Sequence, residues 1–211
     1  MRYLAIGDGL CAGIGAPFLS PSFVYRHARK SEEVLKERVL VSTVARSNYR
    51  SKDILDLFEN SNVISRIKES QLIVLSAGHQ DFIDAMEKYK AEEKEDEFNE
   101  SLRMSKGNTD DIIQKIRDVK AEENNKYILT ILGLHNPYQN NEKAEKWIKQ
   151  YNKHIECRCG PPYLNSLNLH DHFKGNEGTW CTRDRLYPNH LGHEEIAKQL
   201  HEIEYSPILS G

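Results

Sequence analysis

Arg2-Tyr3-Leu4-Ala5-Ile6 runs directly into Gly7-Asp8-Gly9-Leu10, with Gly13 and Gly15 close behind. A short apolar run that ends in a glycine-rich turn reads as a strand followed by a loop. The pattern recurs at Leu72-Ile73-Val74-Leu75, which ends in Ala77-Gly78. That second run has no polar residue to turn toward water, as a strand buried on both faces requires.

Between these two strands the spacing predicts a helix over 22–36, a short strand at Val39-Leu40-Val41 and a helix over 51–58 with Ser51 as its cap. A further helix precedes the third strand. Residues 84–106 are dominated by Glu, Lys and Asp, with Met86, Tyr89, Phe98, Leu102 and Met104 as sparse anchors. They read as a long solvated helix with room for a break. Ile112, Ile113, Ile116 and Val119 predict a helix over 110–122, and Tyr127 to Leu132 a fourth strand. Trp147, Ile148, Tyr151 and Ile155 mark the inner face of a helix over 142–155, broken by Cys-Arg-Cys-Gly-Pro-Pro. A fifth strand is expected at Tyr163 to Leu169 and a closing helix at Leu191 to Ile203.

Strands that alternate with helices imply an α/β fold with a parallel sheet covered on both faces, because each parallel crossover needs a helix-length connection. Ligands of such sheets meet the carboxyl ends of the strands. At 211 residues, with no repeat or linker to divide it, the chain is expected to form one domain over 1–211. Its net charge of -3 offers no basic field for a phosphate backbone, so nucleic acid is not an expected partner. No stretch has the apolar length of a membrane span, and the opening residues make too short a run for a signal peptide, so a cytoplasmic location is expected. In that compartment Cys11, Cys157, Cys159 and Cys181 are expected as thiols. A bridge from Cys157 or Cys159 to Cys181, or a zinc site using these thiols or His170 and His172, is the alternative, although the spacing fits no common zinc pattern. Neither metal nor cofactor is expected.

Gly7-Asp8-Gly9-Leu10, with Ala12-Gly13-Ile14-Gly15-Ala16 after it, resembles the opening block of the SGNH/GDSL hydrolases, where the tetrapeptide reads Gly-Asp-Ser-Leu. Ser47-Asn48-Tyr49-Arg50-Ser51-Lys52-Asp53 resembles that family's second block, and Ala77-Gly78-His79-Gln80-Asp81 its Gly-Gly-Asn-Asp block. Asp184-Arg185-Leu186-Tyr187-Pro188-Asn189 resembles the terminal Asp-x-x-His-Pro-Asn block, and Leu134-His135-Asn136-Pro137 looks like a bacterial subfamily feature. The blocks follow the family's order along the whole chain. The resemblance implies a three-layer α/β/α sandwich around a flavodoxin-like five-stranded parallel sheet of strand order 2-1-3-4-5.

Ester cleavage by that family's scheme needs an oxygen nucleophile, a base, an acid that orients the base, and oxyanion donors. Carried over position by position, the nucleophile falls on Gly9, which has no side chain. The base falls on Tyr187, a phenol with an ordinary pKa near 10 and therefore a poor proton acceptor at neutral pH. The oxyanion glycine maps to Asn48 and the oxyanion asparagine to Gln80, while Asp184 alone keeps its type. The resemblance places a binding cleft at Asp8, Gly9, Leu10, Asn48, His79, Gln80, Asn136 and Tyr187, with Asp8 in a structural part. Cys11, expected in the first turn of a helix where its pKa would be lowered, is the candidate displaced nucleophile, with a small partly buried residue as the other reading of it, and His79 is the candidate displaced base. His190 and His193 are expected to serve packing or helix surface.

Two functions stand against each other on these residues. One is a lipase/acylhydrolase-like protein that has lost its catalytic Ser and His, a pseudoenzyme whose cleft binds a small acyl- or glycan-type ligand or serves as a scaffold. The other is an active esterase that uses Cys11 with His79. A Ser, Thr or Cys within hydrogen-bond reach of a cleft imidazole would favour the second.

Overall fold

The computed structural model describes residues 1–123, 125–160, 163–203 and 205–209. Five strands, β1 (Arg2–Gly7), β2 (Leu40–Ala45), β3 (Leu72–Ser76), β4 (Ile128–Leu132) and β5 (Leu164–Leu167), form one sheet of order β2-β1-β3-β4-β5. Every pairing is parallel, with Ile6 opposite both Val44 and Leu75, and Val74 opposite both Ala5 and Thr130. All five residues of β3 and of β4 are buried, and all but Ser76 and Thr130 are apolar.

Alternate strand residues face opposite sides. Leu4, Ile6, Ile73, Leu75, Leu129 and Ile131 form one core with Phe82, Ile112, Ile116, Trp147 and Tyr151. Tyr3, Ala5, Leu72, Val74 and Ile128 form the other with Phe23, Val24, Ala28, Ile196 and Leu200. Helices α2 (Ser51–Asp56), α3 (Ser61–Glu69), α4 (His79–Glu92), α5 (Glu95–Ala121) and α6 (Glu142–Arg158) supply the first layer. Helix α1 (Phe23–Leu35), the short α7 (Leu169–Phe173) and α9 (His190–His201) supply the second. Two single turns, α8 (Glu177–Trp180) and α10 (Ser206–Leu209), and a 3₁₀ turn at Leu57–Glu59 complete the helices of the described residues. The expected three-layer sandwich and strand order are therefore present.

Several element bounds depart from expectation. The charged region is a helical hairpin: α4 ends at Glu93, which adopts a left-handed φ of 54°, and α5 then continues unbroken through the helix expected separately at 110–122. Gly107 does not interrupt α5. Ser51 is not the cap of α2. Arg50 holds that position, and Ser51 lies buried in the first turn, where its N–H and hydroxyl both donate to Asp81 at 2.7 and 2.8 Å. Strand β5 is shorter than expected because Asn168 caps α7, its side chain accepting from the Asp171 N–H, and this draws Leu169 into a helix. The Cys-Arg-Cys segment ends α6 at Cys159, and Pro161 and Pro162 lie outside the described residues.

All four cysteines are free thiols. Cys159 packs against the core on one side of the sheet and Cys181 belongs to the core on the other, which removes the bridge between them. Among the described residues no group of three or more His, Cys, Asp or Glu side chains could hold a metal ion, and no helix is long and apolar enough to cross a membrane. His170 is buried against Glu145 whereas His172 is exposed, so the two imidazoles do not converge.

Candidate functional site

The carboxyl ends of β1 and β3 are joined through Asp8. Gly7 has no room for a side chain, since a β-carbon there would lie 2.1 Å from the Ser76 carbonyl oxygen. Asp8 follows it, fully buried, and accepts from the Ser76 hydroxyl at 2.5 Å, the Leu10 N–H at 3.1 Å and the His79 N–H at 3.3 Å. Burial raises its pKa, and the three donors offset part of that rise. One carboxylate thus fixes the loop after β1 to the start of α4. Its expected structural part is what the contacts describe.

Above this knot stand Gly9 and Tyr187. A β-carbon on Gly9 would lie 2.7 Å from Cε1 of Tyr187, 2.9 Å from its phenol oxygen and 3.1 Å from the Ser47 carbonyl oxygen. The phenol donates to that same carbonyl at 3.3 Å. Burial, followed by the nearby Asp8, pushes the Tyr187 pKa up to about 12, so the group is a neutral donor at neutral pH. Gly15 locks the approach: with φ of 91°, it passes so close to Pro188 that a β-carbon would lie 2.1 Å from the Pro188 carbonyl oxygen.

His79 opens α4 from a left-handed Gly78, where any side chain would strike the Tyr151 ring at 2.6 Å. Its imidazole stacks on His135 with centroids 5.3 Å apart and meets the Tyr187 ring edge-on at 4.8 Å. Neither ring nitrogen has a hydrogen-bond partner, although the Leu186 backbone lies near enough to offset burial slightly. Burial lowers the His79 pKa to about 4 and that of His135 to about 3, the latter helped down by His79. His135 Nε2 lies 3.1 Å from the Arg185 carbonyl oxygen, which fixes it as the donor. Both rings are neutral at neutral pH.

The remaining expected site residues divide. Asn48 is exposed, one residue past Ser47. Gln80 lies one residue from His79, but its amide donates to Asp84 at 2.7 Å, and Asp84 also takes the Arg50 guanidinium at 2.6 Å. Asn136 is buried and engaged with Glu145 and the Tyr138 N–H, which makes it a loop brace. Leu10 packs in the second core. Asp184 is exposed and accepts from the Thr182 hydroxyl at 2.5 Å and the Leu186 N–H at 3.0 Å, and these donors lower its pKa.

For Cys11 the helix and lowered pKa are not found, and the reading as a small buried residue fits. It lies in a turn and not in a helix, buried in the second core, with its thiol 3.9 Å from the Val74 carbonyl oxygen. Burial pushes its pKa up to about 12. Nor does any Ser, Thr or Cys of the described residues bond to an imidazole of His79, His135 or His193. His193 is a packing residue, accepting the Phe23 N–H at Nδ1 and donating to the Ile14 carbonyl from Nε2 at 3.0 Å. His190 is exposed. Sequence reasoning missed Ser47, Ser76 and His135 as parts of this assembly. Ser76 carries a partial signal as the polar residue that ends the apolar run of β3, but its place beside Gly7 comes from the sheet register.

A parallel sheet with its reversal point between β1 and β3 and helices on both faces defines a three-layer α/β protein, in which the loops after β1, β2 and β3 and the segment before α9 meet at Gly9, Ser47, His79 and Tyr187. The chain belongs to the GDSL-like lipase/acylhydrolase family, whose model matches residues 5–195. Over 208 residues it is 30% identical to the spore germination lipase LipC of Bacillus licheniformis, covering 99% of this chain and 98% of that protein. The crystal structure of the lipase Lip_vut3 from a goat rumen metagenome superimposes with a TM-score of 0.93 at 30% identity, covering 97% and 98% of the two chains. A lipase/acylhydrolase from Enterococcus faecalis shares the fold, with a TM-score of 0.64 at 15% identity over 95% and 93% of the chains.

Proposed function

We propose that this family member is a non-catalytic descendant of a lipase/acylhydrolase, a single domain over 1–211 that uses the old cleft to bind a small acyl- or glycan-type ligand or as a scaffold. The observation that carries the reading is the overlap between the Tyr187 phenol and the volume a side chain on Gly9 would need. The position of the family's nucleophile is empty of chemistry and filled by a neighbour. In its base position stands a neutral phenol, and Asp184 is engaged by Thr182 and the Leu186 N–H. The displaced pair has no support, because Cys11 is a buried thiol and His79 has no hydroxyl or thiol partner. A net charge of -3 offers no basic field for nucleic-acid partners.

Hydrolysis of short-chain p-nitrophenyl esters tests the reading. The wild type should match a mock-purified control at every pH from mildly acidic to mildly basic. Turnover that copurifies with the protein and scales with its concentration would overturn the reading.

A further inference from the structure

Beside the Gly9 and Tyr187 assembly, past the carboxyl ends of β4 and β5, lies a cavity of about 650 Å³. Its wall is made by Asn136 and Gln139 after β4, Glu145 on α6, His170 on α7, and Lys174 and Glu177 on the segment that follows. The size is ordinary for a ligand site, but the lining is not, since such sites are mostly apolar. Here Gly175 is the one lining residue without a polar side chain. The cavity shares a wall with the site described above: His135, which stacks on His79, is followed by Asn136, and Arg185, whose carbonyl takes His135, sends its guanidinium to Gln139.

Two polar groups in this wall are only half used. Glu177 is 8% exposed; Oε2 accepts the Gly175 N–H at 2.8 Å, and its other oxygen has no partner among the described residues. His170 is 3% exposed, with Nε2 at 3.0 Å from Glu145 and Nδ1 without a hydrogen-bond partner. A buried polar group left unpaired costs free energy, so both point to a partner that the wall is built to meet. An acyl chain finds no apolar side chain here, and an anion meets three carboxylates, Glu142, Glu145 and Glu177. A cation meets Lys174 in the lining and Lys149, which already pairs with Glu145 at 2.8 Å, and among the described residues no group could hold a metal ion. Acceptors and donors set side by side, with opposed charges, suit a neutral molecule whose adjacent hydroxyls each donate and accept.

We propose that this cavity is a saccharide subsite, in which one sugar hydroxyl donates to the free oxygen of Glu177 while Lys174 and the Asn140 amide donate to the hydroxyls beside it. A saccharide held here deepens the proposed function: it selects a glycan over an acyl chain, and it rests on that reading only in being bound and not cleaved.

The experiment is a titration of the isotope-labelled full chain, followed by amide NMR shifts, with cellobiose, xylobiose and N,N′-diacetylchitobiose, and with hexanoate and putrescine as acyl and amine probes. At least one disaccharide should give saturable shifts centred on Asn140, Gly175 and Glu177. Glu177→Gln, which keeps the shape of the side chain, should weaken that binding by roughly tenfold or more. Glu142→Trp, at an exposed lining position, should block the cavity while circular dichroism shows an intact fold. The proposal is overturned if no disaccharide shifts these amides, if hexanoate or putrescine shifts them as strongly at equal concentration, or if both variants, folded, bind as the wild type does. Ester turnover would overturn the non-catalytic reading and leave this site standing, whereas absent disaccharide binding without turnover would overturn this site alone.

Discussion

The phenol oxygen of Tyr187 lies 2.9 Å from the point where a β-carbon on Gly9 would stand, and the ring carbon Cε1 lies closer still, at 2.7 Å. The two residues share one volume, which the glycine vacates and the tyrosine fills. Neither can be read alone.

That shared volume predicts a non-additive pair. Gly9→Ser should destabilise the protein by about 1–3 kcal/mol, the usual cost of forcing atoms into a packed site. Most of this should vanish in a Tyr187→Ala background, because the obstructing ring is gone. Tyr187→Phe should give little relief, since Cε1 remains. Urea unfolding of the four corners of the cycle measures the coupling, and additive costs would contradict the shared volume.

The same geometry predicts what a serine at position 9 would and would not supply. Gly9→Ser alone should yield no esterase, because the new hydroxyl meets a protonated phenol and not a base. Gly9→Ser with Tyr187→His and Gln80→Asn removes the obstruction and adds an imidazole beside Asp184, so this triple variant should gain weak ester hydrolysis above the single variant. Equal rates for the two would show that Asp184, held by Thr182, does not orient the new ring.

Burial of neutral imidazoles predicts a pH dependence of stability. The folded pKa of His79 is lowered to about 4 from an ordinary value near 6.5, so between these values the unfolded chain binds more protons than the folded one. Stability should therefore be full above pH 6.5 and fall as pH drops toward 4, by roughly 3 kcal/mol at most for this residue. His135 and His193, lowered to about 3 and about 4, add to the same slope. From pH 7 to pH 4.5 the unfolding midpoint of wild type should fall more steeply than that of His79→Phe. Parallel curves would mean that His79 is not buried as a neutral ring.

Thiol chemistry separates the cysteines. Cys157 is exposed and should react with a disulfide reagent at once, whereas Cys11 and Cys181, buried and each raised to about 12, should react only as fast as the protein opens. Peptide mapping after brief labelling measures the order. Early modification of Cys11 would reopen it as a nucleophile.

The sheet was legible because its central strands are uninterrupted apolar runs, Leu72 to Leu75 above all, and their periodicity leaves little choice. Bounds were less legible where a side chain far along the chain decides them. Ser51 has the character of a cap, yet Asp81 draws it into the first turn of α2. The site was legible in its members at Gly9, His79 and Tyr187, which lie in contact. It was not legible in orientation: Gln80 turns to Asp84, and Cys11 sinks beneath the loop instead of opening a helix. Motif spacing places a backbone at the cleft, but competing partners decide where its side chains point.

The most direct test of the central claim is covalent labelling with a fluorophosphonate, which captures an activated serine nucleophile without requiring a good substrate. Intact-mass analysis of the wild type after exposure should show the unmodified chain alone, with a working serine esterase labelled in parallel as the control. A stoichiometric adduct that maps to a cleft residue would contradict the account, because it would reveal an activated nucleophile that the contacts around Gly9, His79 and Tyr187 do not provide.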